Sequence, residues 1–373
     1  MIRTPEPKFN SELTETIIRL EHLRGRKVGG TTNPLIFMQL KNLFHIVEAL
    51  SSARIEGNHT TLLGFIAKKN ANKTDESMRE ITNLMEALDF IDQNIADSQI
   101  DRNFILELHR IVVKNLTREG DDDTGGYRRK NVRVGRHNPP SHYDVPDLMR
   151  ELVDYIDEDC NERTDLLKIA IAHHQFVWIH PFGNGNGRTV RLLTYAMLCQ
   201  RGYITPNAMR LFNPTAVFAG NRNEYYDMLE KADRQTDEGI LAWCGYFLSG
   251  IFVETEKTQK LADKTYVNSK LLIPAIEKLN SAGVLTVMET GILNRAAKNG
   301  SIKAADIADL WDKPVTSSAI ANQIKKLRDA NYLMATKPNG REYVLRFTDN
   351  VLTGLTLMQM EDEGLLPERV NEV

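Results

Sequence analysis

Residues 180–191 read HPFGNGNGRTVR. They hold a histidine, three glycines within five positions, and two arginines three apart. Each type has a chemical use. His180 can take a proton near neutral pH. Gly183, Gly185 and Gly187 lack the Cβ that would keep a ligand off the backbone. A helix starting at the last glycines leaves its first N–H groups without intrahelical partners. The partial positive charge at such a terminus favours phosphate. Arg188 and Arg191 then share a first turn, so both guanidinium groups reach one anion. Asn184 adds a neutral carbonyl oxygen. A base, an anion cradle and two arginines predict transfer of a phosphate-containing group to a hydroxyl. A P-loop would need Lys followed by Ser or Thr after the glycines, and that pair is absent.

The flanking residues supply the elements that hold this stretch. Residues 166–179 and 190–198 are apolar with helical period, so the stretch is a loop between two helices. His173 and His174, on the first of these, read as structural residues of an apolar helix. Trp178 and Phe182 read as core anchors under the loop.

The stretch resembles the signature of the Fic-domain family, His-Pro-Phe-x-Asp/Glu-Gly-Asn-Gly-Arg-x-x-Arg. The resemblance extends over about residues 35–253. It implies a mainly α fold: a Fic-type helical core with a β-hairpin flap. It implies a protein adenylyltransferase that moves AMP from ATP to a Ser, Thr or Tyr hydroxyl of a target protein. By the resemblance, His180 is the catalytic base. Gly185, Asn186 and Gly187 hold the α-phosphate, and Arg188 and Arg191 hold the leaving pyrophosphate. ATP is the substrate and Mg the metal. The family's acidic metal position is Asn184 here, a weaker ligand for a hard cation.

Two further segments carry the resemblance. Ser52-x-x-x-Glu56-Gly57 is similar to the family's inhibitory motif, whose Glu occupies the second signature arginine, here Arg191. A carboxylate there removes an anion partner and adds negative charge where a triphosphate must sit. Residues 127–135, YRRKNVRVG, resemble the flap, with Val132 and Val134 alternating as in a short strand. The flap implies strand addition by a target segment. Its turn, Val134, Gly135, Arg136 and His137, aligns with nucleotide contacts. So do Tyr225, of the pair Tyr225-Tyr226, and Asp233 beyond it.

The chain has 373 residues, which predicts two or three domains, and 42% hydrophobic residues, enough for ordinary cores. The formal net charge of −3 argues against a globally basic nucleic-acid binder. Cys160, Cys199 and Cys244 are odd in number and lack ligand spacing, so neither a disulfide framework nor a zinc site is expected. The start, MIRTPEPKFN, has no apolar h-region, and no apolar run is long enough to span a bilayer. The expectation is a cytoplasmic protein with no membrane partner; a homodimer is left open.

Helical patterns are expected at 13–23, 35–54 (amphipathic), 77–93, 104–116, 147–159, 166–176 and 239–253, with one opening at 221. A loop is expected at 119–126, acidic and glycine-rich. Residues 254–270 are charged and helical in pattern and read as a connector. Two helices at 302–311 and 316–330 and a hairpin with Asn339-Gly340 at its tip then resemble a winged helix. Ser317, Ser318, Asn322, Gln323, Lys325 and Lys326 are its candidate DNA contacts, and a protein partner is the alternative. The domain reading is 1–100, an N-terminal region with the inhibitory helix; 101–255, the catalytic core; and 270–350, a winged-helix-like domain. Rival functions are AMP removal by a Glu56-positioned water, transfer of another nucleotide, and a nucleotide-sensing DNA-binding regulator.

Overall fold

The computed structural model describes residues 2–25, 30–71, 74–117, 126–158, 164–205 and 212–367. The acidic stretch 119–125 and Cys160 lie outside the described residues. The fold is helical, as expected. The helices are α1 (Glu12–Gly25), α2 (Pro34–Ile55), α3 (Leu62–Asn70), α4 (Glu76–Asn94), α5 (Arg102–Val113) and α6 (Val145–Asp157). Then come α7 (Asp165–Ile179), α8 (Asn186–Gln200), α9 (Ala216–Ala219), α10 (Arg222–Ala232) and α11 (Asp237–Gln259). The C-terminal part holds α12 (Lys264–Tyr266), α13 (Ile273–Ser281), α14 (Val287–Asn299), α15 (Ser317–Asp329) and α16 (Val351–Asp362). It also holds one antiparallel pair, β1 (Leu333–Ala335) and β2 (Tyr343–Leu345). Among the described residues no helix is long and apolar enough to cross a membrane.

α7 is the axis of the core. It packs against α6, α8 and α11, and every residue from Asp165 to Phe176 is buried. Trp243 of α11 donates its indole N–H to Ala170 O at 2.6 Å, which satisfies the one polar atom of a fully buried ring. Helix starts follow local chemistry. Asn33 caps α2 by accepting from Leu35 N, with Pro34 at the first helical position. Asp75 caps α4 and Asp101 caps α5 in the same way. Cys244 is buried and Cys199 half-buried.

α2 differs from its expectation. The sequence predicts an amphipathic helix, but nearly every position from Ile36 to Ala53 is buried. The reason is that structure lies on both of its sides. α4 covers one, where a polar network replaces solvent. Lys41 pairs with Asp92, His45 Nε2 lies 3.2 Å from the same carboxylate, and Tyr195 OH donates to it at 3.1 Å. His45, Asp89 and Asp92 are close enough to share a cation, but the Lys41 ammonium already supplies the charge there.

The C-terminal unit covers another side of α2. Gln39 donates to Leu345 O and accepts from Phe347 N, both at 2.9 Å. The hairpin has the expected Asn-Gly tip and pairs Leu333 with Leu345. Ile302 adds a bridge to Tyr343. The helix expected at 302–311 is a 3₁₀ segment, Ala304–Leu310, and α14, α16 and α3 were not anticipated. Residues 254–270 are not a free connector. α11 runs on to Gln259, and the turns after it bury Leu261, Val267 and Leu271. Thr32 Oγ1 donates to Leu261 O at 2.8 Å, which stitches this segment to the N-terminal region.

Replacing Gln39 by Ala leaves a buried carbonyl and a buried N–H without partners, at about 1–3 kcal/mol each. We expect Gln39→Ala to lower the denaturation midpoint and speed proteolytic release of a C-terminal fragment. A variant as stable and as protease-resistant as the parent would show that this contact does not hold the unit.

Candidate active site

The loop after α7 is built from inside. His180 closes α7 with its N–H on Phe176 O at 3.0 Å and takes the left-handed conformation, φ 51°, that side chains avoid. The Asn186 side chain holds the turn shut. Its Oδ1 accepts from Phe182 N and its Nδ2 donates to Phe182 O, both at 2.9 Å. The buried Phe182 ring stacks on His109 at 3.7 Å. Gly185 starts α8 at φ 69°, where a Cβ would lie 2.9 Å from Val113 Cγ1. The N-cap of α8, Gly185, has no side chain with which to cap the first amides of the helix.

Arg128 braces this turn from the flap. Its Nε donates to His180 O at 2.9 Å, its Nη1 to Lys130 O at 3.0 Å, and its backbone N–H to Pro181 O at 2.8 Å. The His180 imidazole is half-buried, and its Nδ1 makes no hydrogen bond among the described residues. Burial moves its pKa from 6.5 to about 4, with the neighbouring His137 and Arg128 adding to the effect. The ring is therefore neutral at pH 7, the form a base needs.

Both arginines are occupied by acids. Arg191, 1% exposed, donates Nη2 to Glu56 Oε1 at 2.8 Å and to Ser52 O at 2.9 Å, and Nε to Ser52 Oγ at 2.8 Å. So Glu56 meets Arg191, the pairing the resemblance implies, and Ser52 of the same motif meets it as well. Burial pushes the Glu56 carboxyl up, but the Arg191 charge and hydrogen bond outweigh it and hold the group below the usual range. Glu56 Oε1 stands so close to α8 that a Cβ on Gly187 would fall 2.2 Å from it. Arg188 donates Nη1 to Glu80 Oε1 at 2.8 Å.

The flap is shorter than expected. Val134 and His137 exchange both backbone hydrogen bonds, and the pairing stops there. Pro139 and Pro140 cannot donate to a ladder on the return limb, and His142 N bonds the Asn131 side chain instead. Beside the flap lies a cavity of about 860 Å³, bounded by Val134, Gly135, Arg136, His137, Trp178, Arg222, Tyr226 and Asp233 among others. Asp233 sits between His174 Nε2, at 2.8 Å, and His137 Nδ1, at 3.4 Å.

The comparisons with known proteins agree on one family. Residues 99–198 match the Fic/DOC family. These residues are a Fic domain. The chain is 33% identical over 254 residues to the protein adenylyltransferase Fic of Drosophila grimshawi, covering 66% of this chain and 48% of that protein. The corresponding protein of Drosophila willistoni is 32% identical over 190 residues, 49% of this chain and 36% of that one. The chain thus spans half or less of the length of these relatives. Two crystal structures share the fold. A Fic family protein from Desulfovibrio desulfuricans superposes with a TM-score of 0.56 at 19% identity, over 92% of this chain and 98% of that one. A Fic domain containing signaling protein from Bacteroides thetaiotaomicron gives 0.53 at 21%, over 68% and 97%.

Within the Fic domain and its N-terminal helices, the expected residues fall into two groups. Glu56 stands over Gly187 and Arg191 at the start of α8, and His180 and residues 184–185 form the turn just before it. Val134, Gly135, Arg136, His137 and Asp233 border the cavity. Tyr225 belongs to neither group: it is 2% exposed, and its hydroxyl meets His173 Nε2 at 3.0 Å inside the core. Tyr226, 42% exposed, takes the wall position instead. His173 is buried, bonded also to Thr194, as a structural histidine should be. Arg128, Glu80 and Arg222 went unnoticed in the sequence. Only Arg128 had a visible signal, as a cation just before the flap.

The His180 shift has a consequence for pH. Between about 6.5 and about 4 the unfolded chain holds more protons at this site than the folded one. Stability from His180 is therefore full above 6.5 and is lost as pH falls through that window. An NMR titration should place the ring's midpoint near 4, and His180→Gln should flatten that part of the stability profile. A midpoint near 6.5 would contradict the burial described.

Proposed function

We propose that this chain is a protein adenylyltransferase restrained by Glu56. The observation that carries the reading is a neutral His180 in the turn before α8, whose N-cap is a glycine, with both signature arginines in the first turns of that helix and each held by a carboxylate. ATP would enter with its base toward the cavity wall of Tyr226 and Asp233 and its phosphates over α8. His180 takes the proton of a target Ser, Thr or Tyr hydroxyl. The freed oxygen attacks the α-phosphorus, the bond to pyrophosphate breaks, and AMP stays on the target. Amides of Gly185, Asn186 and Gly187 meet the charge that builds on the α-phosphate. Arg188 and Arg191 neutralise the leaving pyrophosphate.

Magnesium has a modest donor set here. Asn184 offers one neutral amide oxygen, and the phosphates would supply the harder ligands. When bound, the ion neutralises phosphate charge. The target would lie along the flap edge, beyond the Val134–His137 bridge, as an added strand. The C-terminal unit supports a second partner. α15 turns Ser317, Ser318, Asn322 and Lys325 to solvent, which suits a DNA groove, while Lys326 is engaged with Glu289 at 2.7 Å. AMP removal is the second enzymatic reading, favoured by the partly exposed Glu56 carboxylate above α8.

Incubation with α-labelled ATP tests the proposal. His180→Ala should lose about 10²–10⁴-fold in AMP transfer while still binding ATP. Glu56→Gly should gain on the order of tenfold, equivalent to about 1.4 kcal/mol, and Arg191→Ala should cancel that gain. Full labelling by His180→Ala would end the mechanism. A release of AMP from labelled protein that needs Glu56 would favour the removal reading.

A further inference from the structure

Arg188 presents the same physical problem as Arg191. Its side chain is 4% exposed, so its charge needs an acid nearby. That acid comes from a different helix. Glu80, in the second turn of α4 and 14% exposed, places Oε1 2.8 Å from Arg188 Nη1. The other carboxylate oxygen of Glu80 accepts from Asn58 Nδ2 at 2.8 Å. Asn58 lies two residues past Glu56. Its backbone N–H closes the end of α2 on Ala53 O at 3.0 Å. Its side chain also donates to Ser77 O and accepts from Thr60 N, each at 3.0 Å. One side chain therefore fastens the turn that carries Glu56 to the start of α4, where Glu80 sits.

We propose that Glu80 is a second restraining carboxylate, holding Arg188 as Glu56 holds Arg191, and that Asn58 joins the two into a two-point latch across the signature arginines. The proposal rests on reading those arginines as the anion partners of a nucleoside triphosphate. Such a ligand must take both guanidinium groups from carboxylates, exchanging one charge-assisted hydrogen bond for another each time. Each carboxylate left in place also repels the incoming phosphates. Removing Glu56 alone leaves Arg191 on Ser52 without a carboxylate and leaves Arg188 engaged with Glu80. Removing the Asn58 side chain leaves both charges in the protein but unfastens the turn from α4, so Glu56 loses its fixed position over α8.

The test uses the full chain and four variants: Glu56→Gly, Glu80→Gln, Asn58→Ala, and Glu56→Gly with Glu80→Gln. Calorimetry with a non-hydrolysable ATP analogue reads affinity, α-labelled ATP reads AMP transfer, and thermal denaturation reports folding. Glu80→Gln should tighten the analogue by roughly threefold to tenfold, the range of a single hydrogen bond. The double variant should bind more tightly than Glu56→Gly by a similar factor. Asn58→Ala should raise AMP transfer with both acids present. Weaker binding by Glu80→Gln would mean that Glu80 orients Arg188 for phosphate, and would overturn the latch. Unchanged binding by a folded Glu80→Gln would overturn it too. If that variant does not fold, Glu80→Asp, which shortens the side chain by one methylene, gives the same reading. Tighter binding without AMP transfer in any variant would keep the latch and discard the transferase reading. No nucleotide binding by any variant would discard both.

Discussion

A guanidinium group buried on α8 sets the terms for the end of α2. Arg191 is almost wholly withdrawn from water. An uncompensated charge in such a place costs several kcal/mol. The fold supplies Glu56 and Ser52, and to do so it must bring the end of α2 onto the start of α8. α2 can lie there because α4 and the C-terminal unit bury the rest of it. The end of α2, placed by the packing of the whole helix, thus also answers the needs of one cation. A ligand able to displace Glu56 must itself bring negative charge, since an uncharged one would leave Arg191 unpaired.

The chemistry around His180 follows the same economy of water. The signature turn is held by Asn186 from within and Arg128 from outside, and the imidazole is half-buried. That burial keeps the ring neutral and the amides of α8 in a low-dielectric setting, where each counts for more than it would in bulk water. The glycines serve this arrangement in different ways. Gly185 allows the backbone to turn against Val113, and Gly187 leaves room for a carboxylate where any side chain would collide.

Much of the site was legible in the sequence because its parts are close together. The 180–191 turn is specified by twelve consecutive residues, and the helix starts carry their caps within three positions. The Ser52–Glu56 pair was legible only through its resemblance to a known motif. Contacts set by tertiary packing were not legible. Glu80 meets Arg188 across 108 residues, and nothing local marks it. Tyr225 and Tyr226 are neighbours about 100° apart on a helix, and the choice between core and cavity wall depends on His173, fifty-two residues away. The burial of α2 was hidden for the same reason: its second cover comes from residues near 345. The short flap could have been foreseen, since Pro139 and Pro140 are in plain view.

The Arg128 brace bears on how an acceptor would be chosen. It ties the root of the flap to the backbone of His180 and Pro181, which fixes the spacing between the flap and the signature turn. A strand laid along the flap advances about 3.3 Å per residue and turns alternate side chains to opposite faces. Moving it by one position swings the wrong face toward His180. On the proposed reading, selection of the hydroxyl would be a matter of counting along a backbone, with neighbouring serines or threonines of similar sequence told apart by their distance from the paired segment.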